Sequence, residues 1–117
     1  MFKIRKIKFK NHSILKNLEL DFCGTDGTAV DTILLAGENG CGKSTVLNCL
    51  YGISSGNVDF EADVLLERGC ECFNLHYRYV PKYSCIWVKD DEGFNTIPAH
   101  DNFLKKYPIS GIFSDVD

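Results

Sequence analysis

An α/β fold built around a phosphate-binding loop follows from three observations on the 117-residue sequence. Gly37, Gly42, Lys43 and Ser44 stand at the spacing G-x-x-x-x-G-K-[ST]. The run Asp31-Thr32-Ile33-Leu34-Leu35-Ala36 before it has strand length, and residues 45–50 after it have helical character. Upstream, two stretches of alternating apolar and polar residues read as strands. The predicted order is strand, strand, strand, phosphate loop, helix. A four-position match of this kind arises by chance on the order of once in a few hundred chains of this length.

The loop's chemistry follows from its residue types. Gly37, Gly40 and Gly42 open backbone conformations closed to residues with a Cβ, and they let main-chain N–H groups approach an anion. The helix starting near Lys43 turns its unpaired N–H groups and positive dipole end towards the same anion. In that setting Lys43 reaches the β- and γ-phosphates, the Ser44 hydroxyl ligates Mg²⁺ and Thr45 supports the α-phosphate. Glu38, Asn39 and Cys41 complete the loop, with Glu38 and Asn39 at its tip facing a γ-phosphate or a partner protein. The plain alternative is a glycine-rich turn with an exposed lysine.

Composition bounds the rest. With 44% hydrophobic and 25% charged residues the chain is ordinary for one globular domain. A net charge of −3 supplies no global basic field for nucleic acid. Lys3, Arg5, Lys6, Lys8, Lys10 and Lys16 cluster near the start, and a solvated strand face explains them better than a nucleic-acid contact. The start is charged and has no apolar signal segment, and no run approaches a membrane span. Six cysteines permit disulfides, but Cys41 inside the loop and the absence of a secretory signal favour thiols in a reducing cytoplasm.

The other elements follow in order. Residues 2–9 read as a strand with imperfect alternation, 11–13 as a turn, and 18–22 as a half-buried strand. Cys23 to Thr28, with Asp26-Gly27, is a turn before the strand that feeds the loop. The helix carries Val46, Leu47 and Leu50 inward and is expected to stop at Tyr51-Gly52. Phe60, Val64 and Leu65 share one face of a short helix expected over 60–68. Residues 72–80 read as a strand, 85–97 as a hairpin turning at Asp90-Asp91-Glu92-Gly93, 99–106 as a helical turn or two, and 109–113 as a strand-like run.

The segment Ile4 to Phe22, with Asn11-His12-Ser13-Ile14-Leu15 and Leu18-Glu19-Leu20-Asp21-Phe22, followed by Ala36-Gly37-Glu38-Asn39-Gly40-Cys41-Gly42-Lys43, resembles the amino-terminal lobe of ABC-type ATPases of the RecF/SMC/OLD class. The phrasing is most similar to AAA-family ATPases of bacterial anti-phage systems, the Septu and retron-associated ATPases. The resemblance covers residues 4–52. It implies a P-loop NTPase lobe with an antiparallel β subdomain that binds ATP and Mg²⁺ and closes on a second ATPase head, as a homodimer or higher oligomer. It implies work in anti-phage defence or DNA repair and maintenance, with a nuclease effector and DNA as partners, in the cytoplasm and away from membranes. It also places Lys10, Asn11, His12 and Ser13 at the nucleotide's base or ribose; by themselves these residues read as a solvated turn.

Hydrolysis needs more than this loop. An acid for Mg²⁺ and a group to orient water are required. Two apolar runs end in acids, at Asp90-Asp91-Glu92 and at Asp115, but Lys89 with Gly93 in the first and Ser114 in the second spoil the pattern. His76 and His100 read as surface or hairpin residues, and the catalytic residues stay unassigned. Residues 1–117 are therefore expected to be an incomplete domain, the first lobe of a longer ATPase head that binds nucleotide without turnover. A small P-loop phosphotransferase, a non-catalytic nucleotide sensor and a transporter ATPase subunit stand as alternatives.

Overall fold

The computed structural model describes residues 1–30, 32–36, 42–98 and 101–116. In chain order the elements are β1 (Lys3–Phe9), β2 (Glu19–Asp21), β3 (Thr32–Ala36), α1 (Lys43–Ser55), β4 (Ala62–Arg68), β5 (Glu71–Val80), a 3-10 turn (Pro81–Tyr83), β6 (Cys85–Asp90), β7 (Asn95–Thr96), α2 (Asp101–Lys106) and β8 (Ile112–Val116). Among the described residues an antiparallel sheet runs β2-β1-β4-β5-β6-β7, and β3 pairs with β8 in parallel as a separate ribbon.

The uneven alternation in β1 has a physical origin. Lys3 faces Glu67 and Ile4 faces Leu66, but Lys6 then faces Leu65, so Arg5 is an extra residue in the ladder. This bulge resets the phase of the strand. Phe2 and Ile4 before it, and Ile7 and Phe9 after it, all reach the core at 3% exposure or less. Fully burying such side chains contributes roughly 1.5–3 kcal/mol each before entropy is counted. The basic residues of this region largely meet carboxylates: Arg5 with Glu67 at 3.1 Å, Lys6 with Glu19 at 3.0 Å and Lys10 with Asp63 at 3.4 Å.

The helix expected over 60–68 is replaced by strand β4. Phe60, Val64 and Leu65 satisfy a helical face locally, but Ala62, Val64 and Leu66 also alternate. Long ladders to β1 on one side and β5 on the other decide the matter. All three residues of the alternating set are buried, whereas Leu65 lies on the opposite face and is half-buried.

Helix α1 does not stop at Gly52. It continues to Ser55 and closes with Gly56 in the left-handed region at φ 81°. Asn57 N–H donates to the Gly52 carbonyl at 2.8 Å and Gly56 N–H to that of Ile53 at 3.4 Å, the Schellman pattern. Gly52 serves close approach instead, since a Cβ there would lie 2.6 Å from the Asn57 carbonyl oxygen. Val46, Cys49, Leu50 and Ile53 form the buried stripe of α1 against the sheet's inner face, where Phe103 from α2 and Tyr107 just after it join the same core.

The segment expected as one strand-like run over 109–113 divides its work. Phe2 N–H donates to the Pro108 carbonyl and Ser110 N–H to that of Phe2, which pins it beside β1. It then continues as β8 alongside β3, and the Tyr51 hydroxyl of α1 donates to the Phe113 carbonyl. The hairpin turn at residues 90–93 forms as expected, and α2 is described from Asp101 onward; residues 99 and 100 lie outside the described residues.

On the outer face of the sheet His76 bridges two acids, with Nδ1 2.9 Å from Asp63 Oδ1 and Nε2 3.0 Å from Asp91 Oδ1. Carboxylates only accept, so both contacts are hydrogen bonds when the ring carries a proton on each nitrogen. Hydrogen bonding to Asp63, and then to Asp91, raises the His76 pKa above its ordinary 6.5, although burial opposes the shift. Arg78 at 2.7 Å shares Asp63.

Two outcomes are expected. Gly52→Ala, despite alanine's better helix propensity, lowers the unfolding free energy by about 1–3 kcal/mol because the Asn57 backbone must move; a lower urea midpoint checks it. The His76 contribution to stability is complete below the unfolded pKa and is lost as pH rises through the raised folded value. His76→Gln therefore flattens the pH dependence of the urea midpoint as pH rises above the ordinary histidine value of 6.5.

Candidate functional site

The amino end of α1 carries no side-chain cap from its N-cap residue. Gly42 precedes the helix at φ 88°, a conformation that disfavours a Cβ, and it supplies no side-chain cap. A Cβ at Gly42 would also lie 3.0 Å from Leu15 Cδ2. The first turn holds no acidic residue. That turn opens on Lys43, buried at 4% exposure, with Ser44 exposed and Thr45 half-buried. The Gly42 carbonyl accepts from Val46 N–H at 2.9 Å, so the helix is regular from its first residue. Gly37, Glu38, Asn39, Gly40 and Cys41 lie outside the described residues.

The loop between β1 and β2 leans against this end through Leu15. His12 organises that loop. Its Nδ1 accepts from the N–H groups of Ile14 and Leu15, both at 3.0 Å, while its backbone exchanges hydrogen bonds with Lys16. Accepting at Nδ1 leaves the ring proton on Nε2. The ring packs edgewise near Phe9, at 5.6 Å, and Phe60, at 6.3 Å. Asn11 turns the chain at φ 51° and its N–H donates to the Asn17 side chain. Lys10 extends to Asp63, and the Ser13 carbonyl accepts from Lys16 Nζ.

Two clefts meet at His12. One, of about 450 Å³, runs along α1 between Thr45, Asn48, Cys49 and Ser55 on the helix and Asn57, Asp59 and Phe60 after it. The other, of about 360 Å³, is lined by Lys10, Asn11, His12 and Ser13 with Asp59, Phe60 and Glu61. Of the residues expected at a base or ribose, His12 lines the cleft that contains Thr45, whereas Lys10, Asn11 and Ser13 line the adjoining one. Sequence reasoning did not foresee Asn48, Asn57 and Asp59. The stretch Ser54-Ser55-Gly56-Asn57 reads as a loop, but nothing in it signals that the chain returns to His12. A larger concavity of about 1030 Å³ lies on the outer sheet face. Its His76 and Arg78 are committed to Asp63 and Asp91, and it is remote from α1.

Of the acids considered for a metal, Asp90 and Asp91 take other roles. Asp90 is 2% exposed and spends its oxygens on Glu92 N–H, Phe94 N–H, the Tyr107 hydroxyl and Lys106. Burial opposes its ionisation, but Lys106 and Tyr107 overcome that and hold its pKa below the ordinary value. Asp91 binds His76 and Asn74. Asp115 lies on β8, paired in register with Leu35 of β3. Among the described residues no cluster of three or more His, Cys, Asp or Glu could hold a metal ion.

Residues 25–102 match the ABC transporter family, two-thirds of the chain. The chain belongs to the ABC transporter family of P-loop ATPases. It is 34% identical over 95 residues to the galactose/methyl galactoside import ATP-binding protein MglA of Shigella boydii and, separately, of Salmonella typhimurium, with 71% of this chain aligned. It is 41% identical over 64 residues, 55% of this chain, to the sulfate/thiosulfate import ATP-binding protein CysA of Acinetobacter baylyi. The chain spans 16% of the length of each of these relatives. ABC-family ATPases bind ATP and use Mg²⁺, and they work as paired heads. Among the described residues no helix of this ABC-family chain is long and apolar enough to cross a membrane.

The cleft beside α1 also sets thiol chemistry. Burial first, and then the Asp59 carboxylate, push the Cys49 thiol up to about 12. Cys70 and Cys72 are exposed free thiols. Iodoacetamide at mildly alkaline pH is expected to alkylate Cys70 and Cys72 in the folded protein while Cys49 stays unmodified until denaturant is added. Peptide mapping by mass spectrometry reads the order.

Proposed function

We propose that this chain is the nucleotide-binding lobe of an ABC-type ATPase head, holding Mg-ATP at the amino end of α1 and depending on further sequence for hydrolysis. The observation that carries the reading is the helix start. Left-handed Gly42 opens an amino terminus with no acidic first turn and no side-chain cap, next to Lys43, Ser44 and Thr45. Such an end favours an anion through its dipole and unpaired N–H groups. The residues Gly37, Glu38, Asn39, Gly40, Cys41, Gly42, Lys43, Ser44 and Thr45 would wrap the phosphates. Ser44, exposed on the first turn, is the hydroxyl that would meet Mg²⁺. Lys10, Asn11, His12 and Ser13 would flank the base or ribose in the adjoining cleft.

The β3–β8 ribbon supports the incomplete-domain reading. Parallel strands normally sit inside sheets covered on both faces, and two alone bury little. Further strands beside this ribbon would supply the acid for Mg²⁺ and the group that activates water. A second head would complete the site. The same chain without turnover would act as a nucleotide sensor; a small phosphotransferase is disfavoured by the antiparallel strands that precede the loop.

For the biological setting, the resemblance of residues 4–52 supports a cytoplasmic, DNA-associated ATPase of anti-phage defence or repair, working with a nuclease effector. The names of the aligned relatives favour a second reading, the ATP-binding part of an importer.

The test is calorimetric titration of the chain with Mg-ATP, with turnover followed in the same samples. Lys43→Ala, and Lys43→Met to keep side-chain volume, are expected to weaken binding at least about tenfold, as for loss of a hydrogen bond between charged groups. Wild-type affinity in both variants refutes the reading. Sustained Lys43-dependent turnover would mean that the chain is a complete small NTPase.

A further inference from the structure

The two clefts beside α1 share three residues, His12, Asp59 and Phe60. Each contributes differently. Phe60 is buried and supplies a wall. The Nδ1 of His12 is saturated by two backbone donors, so its remaining polar atom is an Nε2–H donor. Asp59 is exposed, in the linker between α1 and β4, and no described residue hydrogen-bonds or pairs with its carboxylate. It stands near enough to bear on the Cys49 thiol, which places its charge at the cleft. A donor and an acceptor therefore border one concavity that Thr45 also lines, next to the residues assigned to phosphate.

We propose that Asp59, with the Nε2–H of His12, forms the ribose-recognition pair of this lobe, taking the vicinal hydroxyls of a ribonucleoside triphosphate. This rests on the phosphate-loop reading above. A hydroxyl both donates and accepts, so a cis-diol matches a carboxylate on one side and an N–H on the other. A phosphate does not suit the position, because Asp59 would repel it. A base edge is matched less completely, since an adenine amine would use the carboxylate and leave its neighbouring ring nitrogen acceptor to a donor in fixed register. The diol asks for no such register, because each hydroxyl rotates to suit its partner. The pairing makes Asp59 a specificity residue: it selects ribonucleotides over their deoxy counterparts without contributing to turnover.

The experiment compares Mg-ATP, Mg-2′-deoxy-ATP and Mg-2′,3′-dideoxy-ATP by calorimetry on the 117-residue chain and on Asp59→Ala, Asp59→Asn and Lys43→Ala. Asp59 is exposed, so its variants should keep the wild-type circular dichroism spectrum. The expected result is that the native chain prefers ATP to the dideoxy analogue by about tenfold, the equivalent of one hydrogen bond to a charged group. Asp59→Ala should bring ATP down to the dideoxy level and leave dideoxy affinity unchanged. Asp59→Asn, which retains an acceptor without the charge, should fall between. Full ribose discrimination in Asp59→Ala, with binding still lost in Lys43→Ala, overturns the ribose pair and leaves the phosphate loop standing. No binding by the native chain, or binding indifferent to Lys43, overturns the phosphate-loop reading and the ribose pair with it. His12 is not substituted, because its Nδ1 holds the loop and its loss would disturb the cleft for structural reasons.

Discussion

The carboxylate of Glu67 ties the two parts of this protein together. It sits on the central strand β4 at 8% exposure, with one oxygen on the Arg5 guanidinium at 3.1 Å and the other on the Ala29 backbone N–H at 2.7 Å. Arg5 is the bulged residue of β1, so the salt bridge stabilises the phase change that turns Ile7 and Phe9 inward. Ala29 lies just ahead of β3, so the other hydrogen bond fixes where the chain leaves the antiparallel sheet for the parallel ribbon. A buried carboxylate is costly unless both oxygens are satisfied, and here each has a partner. The placement of the segment that feeds the phosphate loop therefore depends on a residue more than thirty positions downstream.

From that anchor the site assembles by stacking constraints. Leu15 presses on Gly42, the buried stripe of α1 seats the helix on the sheet, and segment 108–116 straps β1 to β3 through β8. Each contact limits where the amino end of α1 can point. The electrostatics of that end are set by omission: no carboxylate occupies the first turn, and the left-handed glycine carries no cap. Protein helices usually meet these N–H groups with a serine, threonine or aspartate. A helix without such a cap, opening on a cleft that leads to His12 and Asp59, has the right polarity for a triphosphate with its nucleoside trailing along α1.

Family membership and structure speak to different levels. The ABC transporter match covers residues 25–102 and thus includes β3, α1 and the strands β4 to β7. The resemblance to DNA-associated ATPases draws on residues 4–52, including the β1–β2 loop outside that match. The two overlap at the phosphate loop, where their chemistry agrees. They part in the β subdomain, which carries no loop chemistry. The early basic residues add little to the DNA reading, because Arg5, Lys6 and Lys10 each face a carboxylate within the sheet.

Local sequence determined the features with short-range causes. The G-x-x-x-x-G-K-S spacing, the turn at Asp90 to Gly93 and the strands at 18–22 and 72–80 depend on neighbours within a few residues, so they were readable directly. Tertiary structure decided the rest. Residues 60–68 carry both a helical and a strand pattern, and only ladders to β1 and β5 choose between them. Gly52 looks like a helix terminator because glycine usually is one, yet it is required by an approach from Asn57 after the helix has continued another turn. The odd phase of β1 was visible as a flaw in alternation, but its bulge needed β4 to define it. Lys89 and Gly93 already spoiled the metal-acid pattern at Asp90, but only the fold shows Tyr107 and Lys106 on its oxygens. Asp59 was silent altogether: a linker carboxylate acquires meaning only when the fold returns it to His12. Spacing along the chain reports local backbone chemistry, whereas a cleft depends on which distant segments the core brings together.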